Sequence, residues 1–154
     1  MDVFDIIRED HQAVQKILND MQETSSRATQ RRQEDVTKFT QLIEPHMMAE
    51  EEVFYPQARE RGESKLREHV IEAYDEHRIA KMVLAELQKM SPQDEAWLPK
   101  AKVLKDLIEH HIEEEEGELF EEARKALNQQ QIQQITQQFQ QTKDKQMQKA
   151  AGRS

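Results

Sequence analysis

The strongest constraint on this chain is a ten-residue motif that occurs twice, as LIEPHMMAEE at residues 42–51 and as LIEHHIEEEE at residues 107–116. Each copy places a histidine and a glutamate four residues apart, in the pairs His46–Glu50 and His111–Glu115. Residues at this spacing leave the same face of an α-helix, one turn apart. An imidazole and a carboxylate that project together from each of two helices are a common way for a helical bundle to hold a transition metal. The repeat therefore predicts a metal site inside a helical protein.

The rest of the chain has the composition and periodicity of helices. Glycine and proline number only 3 and 4 of 154 residues, and Glu, Gln, Lys, Ala and Leu are abundant, which favours helix over strand. Apolar residues recur at helical spacing in four long segments, over about 2–23, 29–61, 64–90 and 94–127. Four amphipathic helices with short connections predict an all-α fold, an up-down-up-down four-helix bundle.

The composition changes near residue 128. Nine of the fourteen residues from 128 to 141 are glutamine, although three apolar residues among them keep a helical rhythm. We therefore expect a bundle domain over residues 1–127 and a Gln-rich helix and tail over residues 128–154. The helix should be short and should cap the bundle, with a frayed tail after Thr142.

Charge and composition restrict the partners. The formal net charge of −9 gives little support to nucleic-acid binding. No apolar run approaches the roughly 20 residues that span a bilayer, and the acidic, amphipathic start MDVFDIIRED resembles neither a signal nor a transit peptide. We expect a cytoplasmic monomer. Because the chain has no cysteine, any metal must be held by His, Asp or Glu.

One histidine of each predicted helix lies on or near the apolar face; the four are His11, His46, His77 and His111. The choice between the adjacent His110 and His111 follows from the helical wheel. At ~100° per residue, His111 and Glu115 lie about 20° from the centre of the apolar face, whereas His110 and Glu114 lie roughly 80–120° away. We therefore place His111 and Glu115 inside the bundle, and His110 and Glu114 at its rim or in solvent.

Two glutamates on apolar faces also need an explanation. Burying a lone carboxylate costs several kcal/mol unless it is paired or bound to an ion. A metal site of six ligands supplies such an ion; its residues are His11, His46, Glu50, His77, His111 and Glu115. Imidazole suits Fe, Zn, Cu or Ni, and carboxylates that bridge two ions favour Fe or Mn. A single histidine on an apolar face is more often structural than a ligand, and we interpret His69, near the edge of its helix face, as structural or exposed. A metal-free bundle is the alternative.

The chain resembles the hemerythrin-like, HHE cation-binding family over roughly residues 2–127. The resemblance is carried by the motifs Asp10-His11, His46-x-x-x-Glu50-Glu51, Glu76-His77-Arg78 and His111-x-x-x-Glu115-Glu116. The family includes myohemerythrin, an up-down-up-down bundle. The resemblance implies a non-haem di-iron centre with an oxo or hydroxo bridge. It also implies the ligands: His11 and His46 for one iron, His77 and His111 for the other, and Glu50 and Glu115 as bridges.

The chain departs from the oxygen-carrying hemerythrins at two positions. Where their third helix has two histidines one turn apart, the earlier position here is Ala73. Where their last motif is a histidine and an aspartate five residues apart, this chain has His111 and Glu115, four apart. The missing fifth histidine implies an open position on one iron. The sequence is thus similar to the four-histidine branch, for which iron or oxygen sensing, peroxide breakdown and nitric oxide handling have been proposed.

We therefore expect a protein that binds O2, peroxide or nitric oxide at a di-iron site. The alternatives are a catalase-like enzyme that disproportionates hydrogen peroxide and an iron- or oxygen-sensing module. Glu51 and Glu116 follow the two predicted bridging glutamates directly. They are candidates for contacts with the metal ligands or for a proton path.

Overall fold

The computed structural model describes residues 1–152, and these residues form helices joined by short connections. The seven helices of this part of the chain are α1 (Val3–Gln22), α2 (Thr29–Ala49), α3 (Tyr55–Arg61), α4 (Ser64–Lys89), α5 (Trp97–Glu114), α6 (Phe120–Ala126) and α7 (Gln129–Ala151). Two π-helical turns join α2 to α3 and α5 to α6; they are Glu50–Phe54 and Glu115–Leu119. The four rods of the bundle are α1, α2 with α3, α4, and α5 with α6, which confirms the predicted all-α fold.

The helices begin and end where the sequence provides caps and breakers. The Asp2 carboxylate accepts a hydrogen bond from the Asp5 N–H, and the Asp5 carboxylate accepts one from the Asp2 N–H, so the two residues form a capping box at the start of α1. At the end of α3 stands Gly62, where an added Cβ would lie 2.6 Å from the Leu66 side chain. Pro99 lies in the first turn of α5, where its missing N–H removes no helical hydrogen bond.

The apolar core has two clusters, and a layer of histidine and glutamate lies between them. In one cluster the rings of Phe4, Phe54 and Phe120 pack edge to face with centroids 4.9–6.1 Å apart. The other cluster includes Phe39 and Trp97. In α1 and α4 the core residues before and after the inward histidine belong to opposite clusters, and in the other two rods the change falls just beyond the histidine, after Met47 and after Ile112. The polar layer is therefore sealed by apolar side chains at both ends, and within residues 1–152 no helix has the length and hydropathy to cross a membrane.

The last helix differs from the prediction. Instead of a short cap with a frayed tail after Thr142, α7 continues to Ala151 and lies along α2. Phe139 of α7 is fully buried, and its ring stands edge-on to the His46 ring at 6.4 Å between centroids. Lys143 extends the contact, with its Nζ 2.6 Å from Asp10 Oδ1. The prediction of a frayed tail was wrong because contacts with the bundle stabilise α7, and local helix propensity contains no information about such contacts.

Phe139→Ala should destabilise the whole bundle, because it removes a fully buried ring from the main apolar core. A truncation of this kind typically costs about 3–5 kcal/mol of unfolding free energy. Urea unfolding followed by circular dichroism measures the change. The control is Gln137→Ala, which alters an exposed position of the same helix. A loss of less than ~1 kcal/mol for Phe139→Ala would mean that α7 is only a peripheral appendage.

Candidate metal centre

All six predicted ligands are buried and meet in one place. Their ligand atoms form two groups of four, and within each group all of these atoms lie within 4.8 Å of one another. Both groups contain Glu50 and Glu115. One is completed by His11 and His46, and the other by His77 and His111. None of the six side chains is more than 7% exposed. The cluster, called the cage below, can hold metal, and the ligand role of each residue stays a prediction.

The two glutamates reach across the cage. Glu50 Oε1 lies 3.1 Å from His46 Nε2 and also 3.1 Å from His77 Nε2. Glu115 Oε1 lies 3.1 Å from His11 Nε2, and its Oε2 lies 3.3 Å from His111 Nε2. Each glutamate therefore contacts one histidine from each group of four. This is the arrangement that two bridging carboxylates require.

Several polar atoms of the cage are buried without a hydrogen-bond partner among the described residues. They are both carboxylate oxygens of Glu50, Glu115 Oε1 and His11 Nε2. Some of these atoms lie within ion-pair distance of each other, as given above, but their angles do not form hydrogen bonds. An unsatisfied buried polar group costs about 1–3 kcal/mol, and more when it is charged. A cation between these atoms would satisfy all of them, so the residues fit a metal site.

A second layer of carboxylates holds the histidines from outside. The Nδ1–H of each imidazole donates to a carboxylate from a neighbouring helix, which leaves Nε2 directed into the cage. The four Nδ1-to-oxygen distances are 2.6 Å for His11–Glu116, 2.8 Å for His46–Asp10, 2.9 Å for His77–Glu51 and 2.7 Å for His111–Glu76.

These four hydrogen bonds close a ring around the bundle. Asp10 of α1 holds the histidine of α2, and Glu51, just after α2, holds the histidine of α4. Glu76 of α4 holds the histidine of α5, and Glu116, just after α5, holds the histidine of α1. The ring has a pseudo-twofold pattern, because Asp10-His11 corresponds to Glu76-His77 and the two copies of the repeated motif correspond to each other. Each histidine is thus positioned by a different rod from its own.

The electrostatics of the ring favour charged carboxylates. Burial acts to raise the pKa values of Asp10, Glu51 and Glu76, but the hydrogen bonds from His46, His77 and His111 outweigh it and lower all three. These carboxylates are therefore ionised at neutral pH, and each accepts the Nδ1–H of its histidine. In metal ligation this contact fixes the ring orientation and increases the basicity of the other nitrogen.

Protons are strongly held inside the cage when no metal competes for the same atoms. Burial acts to lower the pKa of His46, but the Glu50 and Asp10 carboxylates outweigh it and raise that pKa to about 10. Burial also opposes the charge of Glu115, yet His111 holds the pKa of this carboxyl well below its usual range. The cage is therefore a site for positive charge, whether proton or metal.

Tyr55, which follows the first copy of the motif in the run Val53-Phe54-Tyr55-Pro56, adds a hydroxyl to which the sequence alone assigned no role. Its side chain is fully buried, and its O–H donates to Glu115 Oε2. The Tyr55 phenol oxygen also lies 3.3 Å from His77 Nε2 and 3.4 Å from His111 Nε2. Burial and the Glu115 charge raise the pKa of this phenol, so it carries its proton. Tyr55 directly follows the first π-helical turn, and Phe120 holds the equivalent position after the second.

The structure places the other histidines outside the cage. The His110 side chain is 63% exposed and the Glu114 side chain 36% exposed, as the helical wheel predicts. His69 is half-buried at the edge, with its Nε2 3.1 Å from Glu118. Ala73, at the position of the missing fifth histidine, is buried in the apolar core.

Comparison with known proteins is consistent with this arrangement. A family model described as the hemerythrin HHE cation binding domain matches residues 2–123. The chain belongs to this family. The cage of the hemerythrin-like domain is formed entirely within the matched segment, whereas Lys143 and Phe139 of α7 lie beyond it.

Two individual proteins resemble this hemerythrin-like domain. A crystal structure of a hemerythrin HHE cation binding domain-containing protein from Mycobacterium kansasii superposes with a TM-score of 0.83 at 16% identity, covering 98% of this chain and 90% of that one. It supports the fold. A protein named DNA nickase from Nostoc sp. is 30% identical over 155 residues, which are 100% of this chain and 42% of that protein. This chain thus spans less than half of the relative's length.

Without metal, the domain should lose stability as the pH rises above 6.5. The raised pKa of His46 means that folding favours its protonated form. This contribution is complete below the ordinary value of 6.5 and is lost as the pH climbs to about 10. The lowered pKa of Glu115 acts on the acid side, where its contribution is lost as the pH falls below the ordinary value of 4.5. We expect the thermal unfolding midpoint of the metal-free protein to fall between pH 6.5 and 10.

In His46→Gln the fall should be smaller, because the titrating group is gone. His69→Gln, at the edge of the bundle, is the control and should keep the wild-type profile. Identical profiles for the wild type and His46→Gln would show that His46 is not the group responsible.

Proposed function

We propose that this hemerythrin-like domain holds two iron ions in the cage and binds O2 or a related small oxidant there, such as peroxide or nitric oxide. The proposal is supported chiefly by the two groups of ligand atoms that share Glu50 and Glu115. Two histidines on each side and two carboxylates between them make a symmetric set for a pair of ions. Imidazole together with bridging carboxylate favours iron over zinc or copper. When bound, the two iron ions would supply the electrons for chemistry with the oxidant.

The protein's own contribution is positioning and exclusion of water. The ring of outer carboxylates fixes the four imidazoles, so their Nε2 atoms face inward without rearrangement. The two apolar clusters exclude water from both ends of the cage. The Tyr55 hydroxyl is the one neutral proton donor in contact with the cage among the side chains described above. It can donate to a ligand that arrives beside His77 and His111.

A groove beside the cage offers a route for a small ligand. It has a volume of about 590 Å3 and lies between α2 and α4, with the end of α7 at one side. Its lining includes the apolar side chains of Ile43, Met47 and Ala80, all within one helical turn of His46 or His77. Glu51, the carboxylate that holds His77, also lines it. We propose that O2 or a molecule of similar size approaches the cage by this route.

Binding of nucleic acid is not part of the proposal. The nickase activity in the name of the Nostoc relative belongs to a protein more than twice as long as this chain. The net charge of −9 disfavours contact with phosphates. A plasmid-nicking assay with this chain, with and without added Mn2+, should show no cleavage.

Anaerobic loading with Fe(II), followed by exposure to air, tests the di-iron proposal. We expect two iron ions per chain and new absorption bands in the near-ultraviolet and visible ranges. Glu50→Gln should bind less iron and lose these bands, because it replaces one proposed bridge with a neutral amide. The matched control is Glu113→Gln, an exposed glutamate in the same acidic run as Glu115. Wild-type protein that takes up no iron and develops no bands would refute the proposal.

Peroxide disproportionation is the second candidate function, and the Tyr55 hydroxyl is the observation that favours it. In this reaction two molecules of H2O2 give O2 and two molecules of water, so protons must move as the O–O bond breaks. A neutral phenol directed at the cage can supply one of them.

The iron-loaded protein should evolve oxygen from H2O2, as measured with an oxygen electrode. Tyr55→Phe should slow this at least ~10-fold while leaving the iron content unchanged, since a positioned proton donor commonly contributes more than that. Tyr74→Phe is the control, because its hydroxyl donates to the Glu51 backbone carbonyl rather than to the cage. If the wild type evolves no oxygen, or if Tyr55→Phe equals the wild type, this candidate is excluded.

A further inference from the structure

We propose that Glu76, His110 and Glu114 form a third divalent-cation site, at the surface, which captures the metal before it enters the cage. His110 and Glu114 lie one turn apart on α5, with His110 Nε2 3.1 Å from Glu114 Oε1. Glu76 of α4 faces the same nitrogen, with its Oε2 at 3.8 Å. One ligand atom from each of the three residues lies within 4.8 Å of the others. These three residues are called the surface triad below.

The ring of outer carboxylates shows why a cation belongs at this position. At three of its four corners a basic side chain contacts the carboxylate from outside: Lys143 with Asp10, Lys81 with Glu51 and Arg8 with Glu116. At the fourth corner, no Lys or Arg within residues 1–152 forms an ion pair with Glu76. Its outer oxygen faces His110 and Glu114 instead. The fourth corner therefore breaks the pseudo-twofold pattern. It has potential metal ligands where the other three corners have a basic side chain.

The charges at this corner suit a cation. Glu76 and Glu114 each direct a carboxylate oxygen at His110 Nε2, at 3.8 and 3.1 Å. A divalent ion among these three groups would offset the repulsion between the two carboxylates. The imidazole among the ligands favours Fe2+, Mn2+, Co2+ or Zn2+ over Mg2+ and Ca2+, which prefer oxygen ligands alone.

Glu76 also connects the surface triad to the cage. Its Oε1 accepts the hydrogen bond from His111 Nδ1, while its Oε2 belongs to the triad. A narrow crevice of about 10 Å3 is lined by Glu76 and Glu114 on the triad side and by His111 and Glu115 on the cage side. This volume is close to the minimum for one water molecule. An ion that moves inward would therefore have to displace the Glu76 or Glu114 side chain.

The role in metal capture depends on the proposed metal site in the cage. The existence of the surface site does not depend on it. The competing view is that His110 and Glu114 form an ordinary exposed pair on a helix with no ion, which is common. The two views differ in whether a divalent ion binds at this corner, so they can be separated by titration.

Isothermal titration with Co2+, on protein that has first been loaded with iron and oxidised, tests the surface site. We expect one additional Co2+ per chain in the wild type and none in the double variant His110→Gln/Glu114→Gln. Both side chains are surface-facing, so the variant should retain the wild-type unfolding midpoint. The double variant His69→Gln/Glu113→Gln removes the same charges nearby and should still bind Co2+. Equal Co2+ binding by the wild type and the His110/Glu114 variant would overturn the proposal.

The rate of iron uptake tests the capture role. With limiting Fe(II) in a stopped-flow experiment, the His110/Glu114 variant should load at least ~10-fold more slowly than the wild type, because a local charge cluster raises the on-rate by about that factor or more. Its final iron content should be unchanged. Equal uptake rates would overturn capture. If the wild-type cage takes up no iron at all, the function proposed above fails, and the Co2+ titration of the same protein still decides whether the surface site exists.

Discussion

The hydrogen bond between an imidazole Nδ1–H and a carboxylate from a neighbouring helix is the interaction on which the rest of this structure depends. It occurs four times, and together the four bonds link all the rods of the bundle in a closed ring. Burying this many ionisable groups would be very unfavourable if any of them lacked a partner. The ring satisfies the outer nitrogen of each cage histidine and leaves the inner nitrogens and the two glutamates directed into the cage. A rotation of any rod would break two of the four bonds at once.

Helical periodicity was sufficient to predict the cage. A helix fixes the direction of each side chain, so a histidine and a glutamate four residues apart at the centre of an apolar face must point into the core. The same geometry separated His111 from the adjacent His110, and the structure places the first inside and the second outside. The repeated motif also indicated Glu51 and Glu116, because each follows a predicted ligand directly. These inferences use one helix at a time, which is why they needed no knowledge of how the helices pack.

Features that depend on two helices, or on a break in periodicity, could not be predicted. Asp10 stands next to His11 in the chain but holds His46, and Glu76 stands next to His77 but holds His111. Only the relative rotation of the helices decides this. Each π-helical turn contains one residue more than an α-helical turn, and a helical wheel at ~100° per residue does not show it. The segment after the turn is therefore rotated by roughly one residue position, which brings Tyr55 to the cage. The length of α7 depends on contacts with α1 and α2, which composition alone does not reveal.

The two halves of the cage are nearly equivalent in their ligands but not in their surroundings. A phenol follows the first π-helical turn and a phenyl ring follows the second, and among the described residues it is His77 and His111 that have a tyrosine hydroxyl within 3.4 Å. A small ligand that entered as proposed would find the Tyr55 hydroxyl beside one half of the cage. Its orientation would be decided by a single oxygen atom in Tyr55. A pseudosymmetric scaffold has in this way acquired polarity, because its two halves differ in their contact with a hydroxyl.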